Sequence, residues 1–245
     1  RYGAGYGATG CGEEAVFGGA GVSGLDFSSI EKSERSRLTL AAESSSLLAR
    51  IGFIKQPEDE AEKAIAALCK ISSALVAGIA TLSKFSNAYC LSAIARQLVE
   101  IEYMMYAVNA EHRVVTEWLN SSKQDRQKLW SPRNLYSIEG SPFSKEEYQD
   151  HCELGGHPTP SGIQLTHFSA RECDEVFCEA LKHVHSILFY LHEWLATNNP
   201  VRGKVEVADW QKSNRVFKEF FQNDPAYQTL IERHANWESK GAPRP

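Results

Sequence analysis

Arg96 and Glu100 stand four residues apart in Ala95-Arg96-Gln97-Leu98-Val99-Glu100-Ile101, in the middle of a long apolar stretch. Side chains at that spacing meet on one helix face. A charge placed there costs desolvation unless it is paired, and a planar guanidinium matches either a carboxylate or a phosphate through two parallel hydrogen bonds. The couple therefore reads as an ion pair that locks helix packing, or as the floor of a polar site with Glu102 and Tyr103 beside it. His157 is the second candidate, in Gly155-Gly156-His157-Pro158-Thr159-Pro160-Ser161-Gly162. An imidazole pinned between glycines and prolines is how a loop presents an acid/base group. Together these residues suggest a site for an anionic ligand, such as a nucleotide or an RNA phosphate. Arg96 and Tyr103 would bind it, Glu100 would orient Arg96, and His157 would move a proton if hydrolysis occurs.

Other chemistries lack their parts. Di-iron carboxylate bundles need Glu-x-x-His on two helices, and no Glu-x-x-His occurs in the chain. Glu175, Glu179 and His183 follow at four-residue steps and share a helix face; with help from another helix they could ligate a metal, and the favoured reading is a solvated face with an internal Glu to His pair. His183 and His185 point to different faces. His185 and His192 align seven apart and read as ordinary surface or core-edge histidines. His192-Glu193 lacks the second histidine of a metalloprotease helix. Cys152 lies near His151 and His157, but proximity in sequence does not make a thiol dyad. The six cysteines contain no Cys-x-x-Cys pair, so neither a zinc ribbon nor a redox motif is indicated. No metal and no cofactor are expected.

The elements that must position these residues are helical. Ser28 or Ser29 can cap a helix reaching Ile51, with Gly52 as its stop. Pro57 followed by Glu58, Asp59 and Glu60 marks a second start. Behind it Ile65, Leu68, Ile71, Leu75, Ile79 and Leu82 recur at helical steps. A third helix from about Ser86 to Asn120 carries Arg96 and Glu100. Four prolines between 121 and 162 make that stretch irregular, apart from a capping box at Ser144-Lys145-Glu146-Glu147. A second capping box, Ser169 to Glu172, opens a helix to about Asn198. Further helices fit around Trp210 to Phe221 and from Asp224-Pro225 toward Trp237. No alternating strand pattern occurs. The fold class is all-α, a helical bundle with two or three long helices and shorter peripheral ones.

Nine of the 17 glycines fall within the first 24 residues. Residues 1–27 therefore read as a flexible arm or linker, and 28–245 as a single α-helical domain. A Gly-x-Gly-x-x-Gly match at Gly5, Gly7 and Gly10 has neither the strand before it nor the helix after it that a phosphate cradle requires. With 42% hydrophobic and 23% charged residues and a net charge of −5, no overall cationic field attracts nucleic acid or anionic lipid. A basic stretch from Arg113 to Lys145, with Trp118, Trp130 and Tyr136 interleaved, suits single-stranded nucleic acid locally. No uninterrupted apolar run of membrane-spanning length is evident, so no membrane contact is expected.

Arg96-x-x-x-Glu100 on a long helix, Trp130-Ser131-Pro132, and Tyr148 leading to His157-Pro158-Thr159 resemble a group of uncharacterised bacterial all-helical domains. That group has an Arg-x-x-x-Glu helix and a His-Pro-[Ser/Thr] loop and stands close to HEPN-type domains. The resemblance covers about residues 60 to 195. It implies a cytoplasmic bacterial protein, in a defence or nucleic-acid setting, with RNA or another anion as ligand. Where that pattern has serine, this chain has Cys152 or Glu153. The HEPN ribonuclease signature, Arg followed after four to six residues by His, is absent. The alternative is a non-catalytic helical scaffold that binds a protein partner or forms homo-oligomers.

Overall fold

The computed structural model describes residues 27–166 and 170–240. The glycine-rich arm and Ser169 of the second capping box lie outside them. The long helices are α1 (Phe27–Gly52), α2 (Glu60–Ser83), α3 (Ala88–Asn109), α9 (Ala170–Asn198), α10 (Pro200–Asn223) and α11 (Pro225–Lys240). Between α3 and α9 the chain makes the short helices α4 (Val115–Leu119), α5 (Lys123–Leu129), α6 (Pro132–Tyr136), α7 (Lys145–His151) and α8 (Pro160–Gln164). A π-helical turn, Cys152–Gly156, follows α7 directly. The described residues contain no strand, so the chain is an all-α helical bundle.

Local chemistry sets most of the boundaries. Asp59 rather than Pro57 starts α2, its Oδ1 accepting from the Glu62 backbone N–H at 2.7 Å. Asn87 caps α3 through the Cys90 N–H at 3.1 Å. The third helix stops at Asn109 instead of running on to Asn120. There the Ala110–Arg113 corner puts Glu111 in the left-handed region at φ 58°, and only the five-residue α4 follows.

The core lies where α3 packs along α9 and α1 along α2. Ile65, Leu68, Val76 and Ile79 of α2 close against Leu91, Leu98 and Met105 of α3 and Phe177, Leu181, Val184 and Leu188 of α9, all buried. Each such side chain contributes roughly 1.5–3 kcal/mol of transfer free energy. Ile71, assigned to the stripe, is exposed. The face turned inward carries Cys69, Ser72 and Val76 instead, with the Ser72 hydroxyl returned to the Leu68 carbonyl at 2.9 Å. Helix α2 is long and apolar enough to cross a membrane by length and composition, since its isoleucines, leucines, valine and alanines outweigh a single Lys70 without an unbroken run, and 44% of its most apolar window is buried inside the bundle.

Two glycines serve close approach. Gly52 ends α1 without a left-handed residue; a Cβ there would stand 2.9 Å from both the Cγ and the backbone nitrogen of Lys70. At Gly155 the π-helical turn lies flush on α3, and a Cβ would come within 2.7 Å of the Ala93 nitrogen and the Ser92 side chain. Gly155→Ala is therefore expected to lower the unfolding free energy by about 1–3 kcal/mol, the usual penalty of overpacking. Urea titration measures it, and an unchanged midpoint would mean that the turn moves away at no cost.

Candidate functional site

Helix α7 is placed over α3 and α9 and presents two rows of side chains, Tyr148 with Cys152 and Glu147 with His151. The first row meets α3. Arg96 Nη1 lies 3.1 Å from Glu100 Oε1 and donates to Tyr148 Oη at 3.1 Å. The Tyr148 hydroxyl donates in turn to Glu100 Oε1 at 2.9 Å. Burial, reinforced by the Glu100 carboxylate, raises the Tyr148 pKa well above its usual value, so the hydroxyl stays a donor. The sequence-derived couple is thus real and half-buried, and it is tied down by a tyrosine 48 residues further along the chain.

The other sequence-derived residues are distributed differently. Tyr103 lies one turn beyond Glu100, 1% exposed, its ring 4.0 Å from that of Phe143 and 6.2 Å from that of Tyr148. Its hydroxyl has no hydrogen-bond partner. His157 is exposed. Only its backbone is engaged, by the Cys152 carbonyl at 3.2 Å and the Tyr89 hydroxyl at 3.4 Å. The structure gives its ring no bond to Arg96, Glu100 or Tyr148, so the shared acid/base site expected of His157 with Glu100 is not assembled. The turn that carries His157 packs toward Tyr89, near the start of α3, about two turns before Arg96.

The second row meets α9 and forms a cluster that sequence reasoning missed. His183 Nδ1 is 2.5 Å from Glu102 Oε2, both residues fully buried. The Nδ1–H donates to the Glu102 carboxylate, which leaves Nε2 as the ring's other polar atom. That Nε2 is buried and has no partner. The His151 ring packs edge-on against the His183 ring at 5.2 Å, and its Nε2 lies 3.7 Å from Glu179 Oε1. Lys182 Nζ lies 3.5 Å from Glu147 Oε1. Glu147 therefore stands by residues 182 and 183 and His151 by 179, which makes α7 antiparallel to α9.

Ligand-type atoms of Glu147, His151 and His183 all fall within 4.8 Å of one another. Burial holds the His151 pKa below the usual histidine value, which keeps its ring neutral. Burial also pushes the Lys182 ammonium down, but Glu147, Glu179 and Glu102 outweigh it and leave it raised. The rim of the cluster thus carries the Lys182–Glu147 ion pair, with the two imidazole rings at its base.

Two expectations are corrected here. The face of Glu175, Glu179 and His183 is not solvated. Glu175 is buried and holds Arg171 at 3.2 Å and Arg233 at 2.6 Å, joining α9 to α11, while His183 is 1% exposed. The Ser144 capping box is half-made. Ser144 Oγ accepts from the Glu147 N–H at 3.0 Å, but the Glu147 carboxylate turns to Lys182 rather than back to the cap. His185 and His192 are core-edge residues as expected, both stacked on Trp210.

A signal for the cluster was present. Glu147-x-x-x-His151 and Glu179-x-x-x-His183 are twin pairs at four-residue spacing, on helices that turn out to be neighbours. Sequence reasoning took up the second pair alone and favoured a solvated face for it.

No family model, curated protein or solved structure matches this chain.

Proposed function

We propose that this chain is a helical metal-binding protein, its centre a divalent transition ion of the zinc class held by Glu147, His151 and His183. The observation that carries the reading is the state of His183. One ring nitrogen is clamped by Glu102 while the other is buried without a partner, beside a second imidazole and a carboxylate. A carboxylate on the far nitrogen of a ligating histidine is the usual support for such a ligand, and an unsatisfied buried polar atom costs about 1–3 kcal/mol until something binds it. Two imidazoles and one carboxylate suit zinc and its neighbours rather than calcium or magnesium. Tetrahedral coordination puts ligand atoms about 3.4 Å apart, so these donors need to close by roughly an ångström each. In this reading Glu102 and Glu179 orient the two imidazoles. Arg96 and Glu100 position Tyr148, and with it the adjacent Glu147, in preference to clamping a phosphate.

The test uses the untagged full chain, stripped with chelator, exchanged into buffer and titrated with Zn2+ by calorimetry, with bound metal counted by elemental analysis. One equivalent is expected for the wild type, and under about a tenth of that for the His151→Gln/His183→Gln double variant with an unchanged circular dichroism spectrum. Failure of the folded wild type to take up zinc, cobalt or nickel removes the proposal, as does full retention of metal by the double variant.

A further inference from the structure

Three buried features lie outside the ligand set. The Arg37–Asp174–Asp224 network pairs its charges internally and leaves only Arg37 Nε without a partner. The apolar crevice between Leu47, Ile51, His192 and Trp210 holds about 10 Å³, no more than a single water. The hydroxyl of Tyr103 is different, because it is left without a partner beside a cluster that also leaves His183 Nε2 without one.

Resting on the metal reading above, we infer that the ion keeps one coordination position for a small exogenous anion, hydroxide or an oxyanion, and that Tyr103 Oη hydrogen-bonds that ligand. Tyr103 is placed for this. It follows Glu102, the residue that holds His183, and lies under α7 with its ring against those of Phe143 and Tyr148. Burial, followed by the Glu147 and Glu102 carboxylates, raises its pKa, so the hydroxyl stays a donor.

The two orphaned atoms make complementary demands. His183 Nε2, as a ligand, takes a cation. Tyr103 Oη needs an acceptor. A bare cation answers the first and leaves the second unmet, whereas a cation carrying an anion answers both. Coordination number agrees, because three protein donors converge here and a site with three protein ligands conventionally holds an exchangeable fourth. Glu179 is the competing occupant. Its carboxylate faces His151 Nε2 at 3.7 Å and does not join the group of atoms within 4.8 Å, which places it behind the imidazole rather than on the ion.

The experiment uses the full chain loaded with Co2+, whose visible spectrum reports its ligands, titrated with sodium azide as the anion. Saturable spectral change is expected for the wild type. In Tyr103→Phe the azide dissociation constant should rise about tenfold, in keeping with the loss of one hydrogen bond to a charged acceptor, while cobalt stoichiometry stays at one. The fold should tolerate the change, because the hydroxyl removed has no partner. If cobalt does not bind at all, the metal reading itself falls and a water joining the two atoms is the simpler account. Cobalt binding with a spectrum indifferent to azide overturns the open position and assigns it to Glu179. Equal azide affinities in the two proteins overturn the role of Tyr103.

Discussion

Arg37→Met is expected to be the most destabilising single change in the molecule away from the hydrophobic core, lowering the unfolding free energy by about 3–5 kcal/mol. Arg37 is 2% exposed. Its Nη1 donates to both carboxylate oxygens of Asp224 at 3.0 Å, and its Nη2 lies 2.8 Å from Asp174 Oδ2. Asp224 has a second task, because its Oδ1 accepts from the backbone N–H groups of Ala226 at 3.0 Å and Tyr227 at 3.2 Å and so caps α11. One guanidinium thereby ties α1 to α9 and to the α10–α11 corner. Removing it leaves the Asp224 carboxylate buried with its cap bonds but no cation, which is the costly half of breaking a buried pair. Asp224→Asn keeps an acceptor for the cap, so the double variant Arg37→Met/Asp224→Asn should be less destabilised than the two single changes summed, as expected for residues in contact. Urea unfolding at neutral pH measures all four proteins. A loss under about 1 kcal/mol for Arg37→Met, or strict additivity in the cycle, would show that solvent reaches Asp224 and makes up the loss.

Acidification should weaken the metal-free protein through His151 and His185. Burial lowers both pKa values from the ordinary 6.5, partly opposed at His151 by Glu179 and Glu147 and reinforced there by His183 and Lys182, and partly opposed at His185 by Asn214. For a histidine depressed in the folded state the sign is fixed. Above its ordinary value neither state holds the proton. As pH falls through about 6.5 the unfolded chain takes up protons that the folded chain refuses, and stability declines until the lower folded pKa is passed. Each group contributes up to about 1.4 kcal/mol per pH unit within that window. Denaturant midpoints at pH 7.5, 6.5 and 5.5, in the presence of chelator, should therefore fall in that order. The decline should be smaller in His185→Asn, which removes one of the two titrating rings. Midpoints that stay level or rise on acidification would mean that both histidines already carry a proton in the fold.

What the sequence revealed and concealed divides along physical lines. Periodicity disclosed α2, α3 and α9, because their apolar stripes are dictated by burial along a single helix. The Arg96–Glu100 couple was visible for the same reason, both partners lying on one turn. Its third member was not, since Tyr148 arrives from α7 and only packing brings it there. The end of α3 was placed too late because nothing in Ala110-Glu111-His112-Arg113 forbids a helix, whereas the structure turns at Glu111 through a conformation ordinarily left to glycine or asparagine. His157 was favoured because glycines and prolines around an imidazole look purposeful. Here Gly155 serves the approach of the turn to α3, and the ring is left facing solvent. The His151–His183 cluster combines residues 32 positions apart with a carboxylate from a third helix, Glu102. Spacing on α7 and α9 could have flagged it, but not the pairing of Glu102 with His183, which depends on how α3 packs along α9.

The shortness of α7 has a consequence for how such a centre would assemble. A segment of seven residues is well below the length at which a helix persists in water by itself. Two of the three donors are therefore borne by a splint that exists only while clasped, by Tyr148 on one flank and by the glycine-seated turn behind it. Cargo and clasp would reinforce each other, and whatever pries the splint loose would also empty the centre. Discharge would then need no rearrangement of the two long rods that carry Glu102, Tyr103 and His183.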